Sequence, residues 1–153
     1  MGVVDDRLIA MAVSLPPVPA PVAAYVSIMR AGDLLFTAGQ IPRVNGELIS
    51  PGRVGGDVSS EQAREAASRA ALQAVAAIKS AVDDLDQIHI VKVTVFVNSA
   101  PGFVGQPAVA DGASDVLQHI FGDAGKHARS AVGVAELPLG SCVEVEVIAE
   151  VRT

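Results

Sequence analysis

An α+β domain, with helices gathered on one face of a mostly antiparallel or mixed sheet, is what this sequence predicts. Three observations carry that expectation. Apolar and polar residues alternate through "HIVKVTVFVNS" (89–99) and "SCVEVEVIAEV" (141–151), which is the two-residue period of a strand. Alanines recur at helical spacing from Ala63 to Ala81, the pattern of a helix lying close against a sheet. The elements then follow one another as β-β-β-α-β-α-β-β, with no internal repeat and no linker long enough to divide the chain.

Each element has a local reason. "DDRLIAMAV" (5–13) reads as a short amphipathic helix with Asp5 as its cap. "SLPPVPAPVAA" (14–24) is an extended, polyproline-like lead-in over the surface. Residues 1–24 therefore precede a single domain spanning 25–153. "YVSIMR" and "LLFTAGQI" are β-prone runs joined by the turn signal "AGD". Gly39 falls inside the second run, where glycine marks a bulge or a close approach of backbone or ligand. "VNGE" is a further turn leading to the short strand "ELIS".

Ser59 and Gln62 form a capping-box signature at the start of the first long helix. Its apolar stripe is Ala63, Ala66, Ala67, Ala70, Ala74, Ala77, Ile78 and Ala81; Arg64, Glu65, Arg69, Gln73 and Lys79 make its polar face. The strand over 89–99 places Val91, Val93, Val95 and Val97 together. "VADGASDVLQHIFG" is a second helix, ended by Gly122. "ARSAVGVAEL" and "SCVEVEVIAEV" close the chain as strands around "PLG". In the last strand Cys142, Glu144, Glu146 and Ile148 share one face, opposite Val143, Val145, Val147 and Ala149. Pairing of these two strands through their short connection would bring the glutamate face near Arg129.

Composition narrows the function. The chain has 153 residues, half of them hydrophobic, and a mean hydropathy of +0.44, so a packed core is assured. Aromatics are only 3% and tryptophan is absent, so small aliphatic side chains must build that core. Apolar surface left over on so small a domain points to a symmetric homo-oligomer. A net charge of −6 argues against an extended phosphate-binding surface and hence against nucleic acid. The single cysteine, Cys142, precludes an internal disulfide and a cysteine-based zinc cage. Acidic residues occupy the N-terminal stretch where a signal peptide needs positive charge, and no run of about 20 apolar residues is available to span a bilayer. The expected setting is soluble and cytoplasmic. His89, His119 and His127 lie on different elements without metal-ligand spacing. No phosphate-cradling loop, dinucleotide fingerprint or Ser-His-Asp order appears, so no cofactor or metal is expected.

Arg129 is the residue that composition does not explain. A strand-end arginine ordinarily snorkels to solvent or pairs with a glutamate. Its setting among Ala128, Ala131, Val132 and Val134 is also suited to a fork of N–H donors that grips a substrate carboxylate. Glu144 and Glu146 suit a solvated strand face, or an acid that holds a water for proton transfer. Tyr25, the one tyrosine, suits the edge of the core or the rim of a pocket.

Together "LLFTAGQIP" (34–42), "IVKVTVFVNS" (90–99), "ARSAVGVAELP" (128–138) and "VEVEVIAEV" (143–151) resemble the Rid/YjgF family of reactive intermediate/imine deaminases, some of which carry the older label L-PSP endoribonuclease. The likeness runs from about Tyr25 to Val151. The lead-in and "NSAPGFVGQPAVADGASDVL" are similar to a longer branch of that family. The resemblance implies a chorismate-mutase-like fold, a mixed sheet with two main helices on one face, assembled as a homotrimer with a ligand pocket in each cleft between subunits. It implies hydrolysis of enamines and imines such as 2-aminoacrylate to 2-oxo acids and ammonia. It assigns Arg129 to the substrate carboxylate, Glu144 to the attacking water, and Tyr25 and Gly39 to the pocket. Two departures accompany it. Ala131 stands where the deaminases usually carry cysteine, and Asp111, taken as a substrate-binding position, stands where they often carry asparagine. Turnover of a small carboxylate-bearing imine is the first expectation. A trimer that binds small carboxylates or 2-oxo acids without turnover is the alternative, and ribonuclease activity is the least supported.

Overall fold

The sheet is built around the two alternating runs. The computed structural model describes residues 1–20 and 23–153; Pro21 and Val22, part of the lead-in, lie outside the described residues. Strand β5 (Ile88–Asn98) pairs antiparallel with β7 (Val143–Val151) and parallel with β6 (Ala128–Val134). On the other side of β7 lies the hairpin of β1 (Ile28–Ala31) and β2 (Leu34–Thr37), giving the order β1-β2-β7-β5-β6. Gly32, at φ 60°, makes the hairpin turn. Helices α2 (Ser60–Ala81) and α3 (Gln106–Phe121) cover the face carrying Val93, Val95, Val97, Val143, Val145 and Val147, all buried. This is the expected α+β layering.

Several local expectations are corrected. The last two strands are not a hairpin, because β5 lies between them. Helix α3 is the crossover from β5, which makes β6 run parallel to it, as a crossover connection permits and a tight turn does not. The chain then steps over the end of β5, where the Asn98 amide donates to the Cys142 carbonyl at 2.9 Å and the Ser99 amide to that of Val134 at 3.1 Å. Val91 leaves the buried face. A register shift between Ile90 and Lys92 turns it outward, with Ile88 and Ile90 buried on one side of the irregularity and Val93 on the other. Such a bulge is invisible to a strict two-residue period. The short strand at "ELIS" is only Glu47–Leu48, β4. It pairs with β3 (Arg43–Val44) in a separate two-stranded ribbon, turned by Asn45 and Gly46 at φ 52° and 82°.

Helix α2 starts as expected: the Gln62 amide donates to Ser59 Oγ at 3.1 Å and the Ser59 amide to Gln62 Oε1 at 2.9 Å. Ala63, Ala66, Ala67, Ala70, Ala74, Ala77 and Ile78 are buried. Small side chains let α2 and α3 touch backbone to backbone. A Cβ built on Gly112, in the middle of α3, would collide with the Arg64 carbonyl oxygen of α2.

The N-terminal helix, α1, spans Val3–Ala10 with Gly2, not Asp5, at its N-cap; Asp5 lies in the first turn, where its carboxylate accepts from the Gly2 amide at 3.3 Å. Its first amides are met from far along the chain, Val3 and Val4 each donating to the Asp86 carboxylate at 2.8 Å. These two bonds, that from Val4 first, hold the Asp86 carboxyl below the ordinary aspartate range. Val4 and Leu8 join the main core. A group with a depressed pKa in the folded state stabilises above the unfolded value of about 3.9, and that contribution fades as pH falls through the folded value. Asp86→Ala is therefore expected to loosen α1 at neutral pH. Limited proteolysis should cut within residues 1–12 faster than in the parent protein, and the difference should shrink under acid conditions. Equal cutting at neutral pH would show that the cap does not hold the helix.

Candidate functional site

Side chains directly opposite in a sheet share a face. The register therefore sorts the candidate residues. Phe96 lies opposite both Glu144 and Val132, and Thr94 opposite Glu146 and Ser130. Met29, Phe36 and Ile148 continue this open face across the hairpin. Met29, Phe36 and Val132 are exposed on it. Arg129 lies opposite Val93, on the helix-covered face. Glu144 and Arg129 are thus on opposite sides of one sheet, contrary to the proximity that a β6–β7 hairpin would give.

Three expected residues do meet. Tyr25, Gly39 and Glu144 line one cavity of about 480 Å³, with Gln40, Gln73 and the lead-in around Pro17 completing its wall. That volume is in the range of small-ligand pockets. Gly39 is not a bulge within a strand; it follows the end of β2. Its role is close approach. A Cβ built there would collide with the Glu144 carboxylate, which lies over the Gly39 Cα. Gln40 fixes the segment by exchanging backbone bonds with Val145 at 2.8 and 2.9 Å. Tyr25 precedes β1 and is more than half exposed, at the rim.

Glu144 is half-buried, and among the described residues its carboxylate has no hydrogen-bond or ion-pair partner. Burial pushes its carboxyl above the ordinary range, and the nearby Glu146 charge adds to the rise. An unpartnered, weakened acid beside a cavity is suited to holding a water and taking its proton. Cys142 offers no competing nucleophile. It is fully buried, and burial pushes its thiol up to about 11.

Gln73 went unrecognised in the sequence. It counts there as polar surface of α2, yet its Nε2 donates to the Ile41 carbonyl at 2.8 Å and to Gln40 Oε1 at 3.3 Å, while its Oε1 accepts from the Arg43 amide at 2.7 Å. Arg69, one turn earlier, donates to the Arg43 carbonyl at 2.6 Å. Both residues lie at the border of the alanine stripe. That border was the available signal, since polar groups flanking a buried stripe can turn inward to an irregular loop needing partners.

The Arg129 cluster is separate. Arg129 Nη1 donates to Asp111 Oδ1 at 2.8 Å and to Ser114 Oγ at 3.2 Å, both on α3. The arginine side chain is 25% exposed and the aspartate 44%. Ser114 Oγ is 2.9 Å from His127 Nε2, and His127 Nδ1 is 2.6 Å from the Gly125 carbonyl. This gives Arg129 the acidic partner expected of a strand-end arginine, supplied by the helix rather than by a strand glutamate. The small side chain of Ala131 follows Arg129 on the same face.

Comparison with known proteins agrees with the architecture. Residues 5–151 match the model of a family described as "YjgF/chorismate mutase-like, putative endoribonuclease". The chain is 40% identical over 153 residues to Protein TCP17 of Trypanosoma cruzi, covering 99% of this chain and 96% of that protein. It is 35% identical over 133 residues to the 2-iminobutanoate/2-iminopropanoate deaminase of Salmonella typhimurium, covering 86% of this chain and 90% of the deaminase. Among solved structures, one from Shewanella oneidensis, described as a putative endoribonuclease, superposes with a TM-score of 0.94 at 33% identity, covering 98% of this chain and 100% of that one.

Proposed function

We propose, on the premise that the chain belongs to the YjgF/chorismate-mutase-like family, that it is a hydrolytic deaminase of reactive enamines and imines of the 2-aminoacrylate type. The observation that carries the reading is the Glu144 carboxylate, unpaired among the described residues and placed over Gly39 in a cavity of about 480 Å³. Relatives named 2-iminobutanoate/2-iminopropanoate deaminase, at 30–35% identity, support it.

The reaction asks little of the protein beyond orientation. Glu144 holds a water against the imine carbon and takes its proton as the C–O bond forms. The nitrogen, protonated, then leaves as ammonia while the carbinol oxygen becomes the 2-oxo group. Arg129 holds the substrate carboxylate through a charge-assisted bond worth roughly 1.5–3 kcal/mol. Glu144 and Arg129 cannot serve one substrate within one chain, since they face opposite sides of the sheet. The reading therefore places the site in a cleft between copies, Arg129 from one and Glu144 from the next. The exposed Met29, Phe36 and Val132 around Glu144 supply apolar area for such contact in a homotrimer.

Freshly generated 2-aminoacrylate tests this by release of pyruvate and ammonia. Arg129→Ala and Glu144→Gln should each lose activity about 100-fold or more. Co-assembly of the two variants should restore part of it, because some clefts then receive an intact residue from each chain. Equal rates for wild type and Arg129→Ala would remove that residue from the mechanism, and no turnover by the wild type would remove the activity. Retention of small carboxylates without turnover is the second reading, and binding that depends on Arg129 with no release of ammonia would select it.

A further inference from the structure

The Arg129 cluster has its hydrogens assigned by chemistry. A carbonyl oxygen only accepts, so at 2.6 Å from the Gly125 carbonyl it is His127 Nδ1 that carries the proton in the neutral ring. Nε2 is then an acceptor, and Ser114 must donate to it across 2.9 Å. The Ser114 oxygen is left to accept from Arg129 Nη1, whose other hydrogen goes to Asp111 Oδ1. Nη1 is therefore fully used. Among the described residues, neither the Nε and Nη2 edge of the guanidinium nor Asp111 Oδ2 has a hydrogen-bond partner, and both side chains remain partly exposed.

We propose that the Asp111–Arg129 pair, joined at 2.8 Å, selects ligands carrying a protonated nitrogen beside their carboxylate and discriminates against 2-oxo acids of the same skeleton. The inference rests on the reading that Arg129 holds the ligand carboxylate. The pair keeps a free donor edge and a free acceptor oxygen, with no net charge. A simple carboxylate gains the guanidinium but meets the Asp111 charge next to it. An iminium or ammonium carboxylate satisfies both, its N–H donating to Asp111 while its carboxylate accepts from Arg129. For imine hydrolysis this is the useful preference, since the nitrogen-protonated imine is the electrophile and the oxo acid is the product to be released. Asp111 is in this sense a specificity residue of the binding half of the site.

Ligand-observed NMR titration with 2-aminobutyrate and 2-oxobutyrate tests the inference, using the assembled full chain. The wild type is expected to favour the amino acid by about fivefold or more, the scale of one partly exposed charge-assisted contact. Asp111→Asn and Asp111→Ala, at a partly exposed helix position, should weaken the amino acid and tighten the oxo acid, reversing the order. Arg129→Ala should abolish binding of both. An unchanged preference in both Asp111 variants, or an oxo-acid preference in the wild type, overturns this proposal while leaving the Arg129 reading intact. Unaltered binding of both acids by Arg129→Ala, or no binding by the wild type, overturns the two together.

Discussion

Gly112→Ala is expected to destabilise the fold by about 3 kcal/mol, the upper range for overpacking a close-packed site. Helix propensity alone gives the opposite sign, because alanine inside a helix is favoured over glycine by about 1 kcal/mol. The clash decides the outcome. The added methyl would meet the Arg64 carbonyl oxygen, with the Arg64 carbonyl carbon 2.8 Å away, and backbone of a neighbouring helix cannot turn aside as a side chain can. Helices α2 and α3 would have to move apart along a contact made of alanines, where no larger side chain can refill the gap. For a domain of this size each kcal/mol moves the midpoint by about 2–4 °C, so thermal unfolding should show a fall of about 6–12 °C. An unchanged or raised midpoint would mean that the helices separate freely at this point.

Gly39→Ala is expected to leave the fold intact and to cut imine hydrolysis about 100-fold, the lower range for loss of a positioned general base. Gly39 is outside any strand and its φ is not in the left-handed region, so alanine suits the backbone. The methyl would instead occupy the position of the Glu144 carboxylate and push the acid from its place. Adding Glu144→Gln to Gly39→Ala should then lose little more, because both changes remove one function. The pH profile supplies a second readout. Since burial raises the Glu144 carboxyl, the wild-type rate should fall on the acid side at a higher pH than an ordinary glutamate gives, and this limb should vanish in Glu144→Gln. Full activity in Gly39→Ala with an unchanged melting temperature would show that Glu144 does not act from where it lies.

What the sequence revealed was what is decided locally. The capping box of Ser59 and Gln62, the Asn45–Gly46 turn and the buried alanine stripe each depend on residues within a few positions of one another. The errors come from partners remote in sequence. Asp86 caps a helix 82 residues away, so no window around Asp5 could have identified it. The insertion of β5 between β6 and β7 follows from the α3 crossover, and the bulge at Val91 from the pairing of β5 with β7; alternation encodes neither. The site divides in the same way. Tyr25, Gly39 and Glu144 converge on one cavity, while Arg129 and Asp111 form a separate pair across the sheet. Gln73 resembles surface in the sequence because the loop that turns it inward has no periodic signature.

The position of Tyr25 has a practical consequence. The chain has no tryptophan and one tyrosine, and that ring stands at the mouth of the cavity beside Glu144. Ultraviolet emission from the whole protein, excited at the phenol band, therefore originates at a single place. A molecule that settles there is expected to alter the one side chain excited at that band, so the protein carries its own optical probe of occupancy.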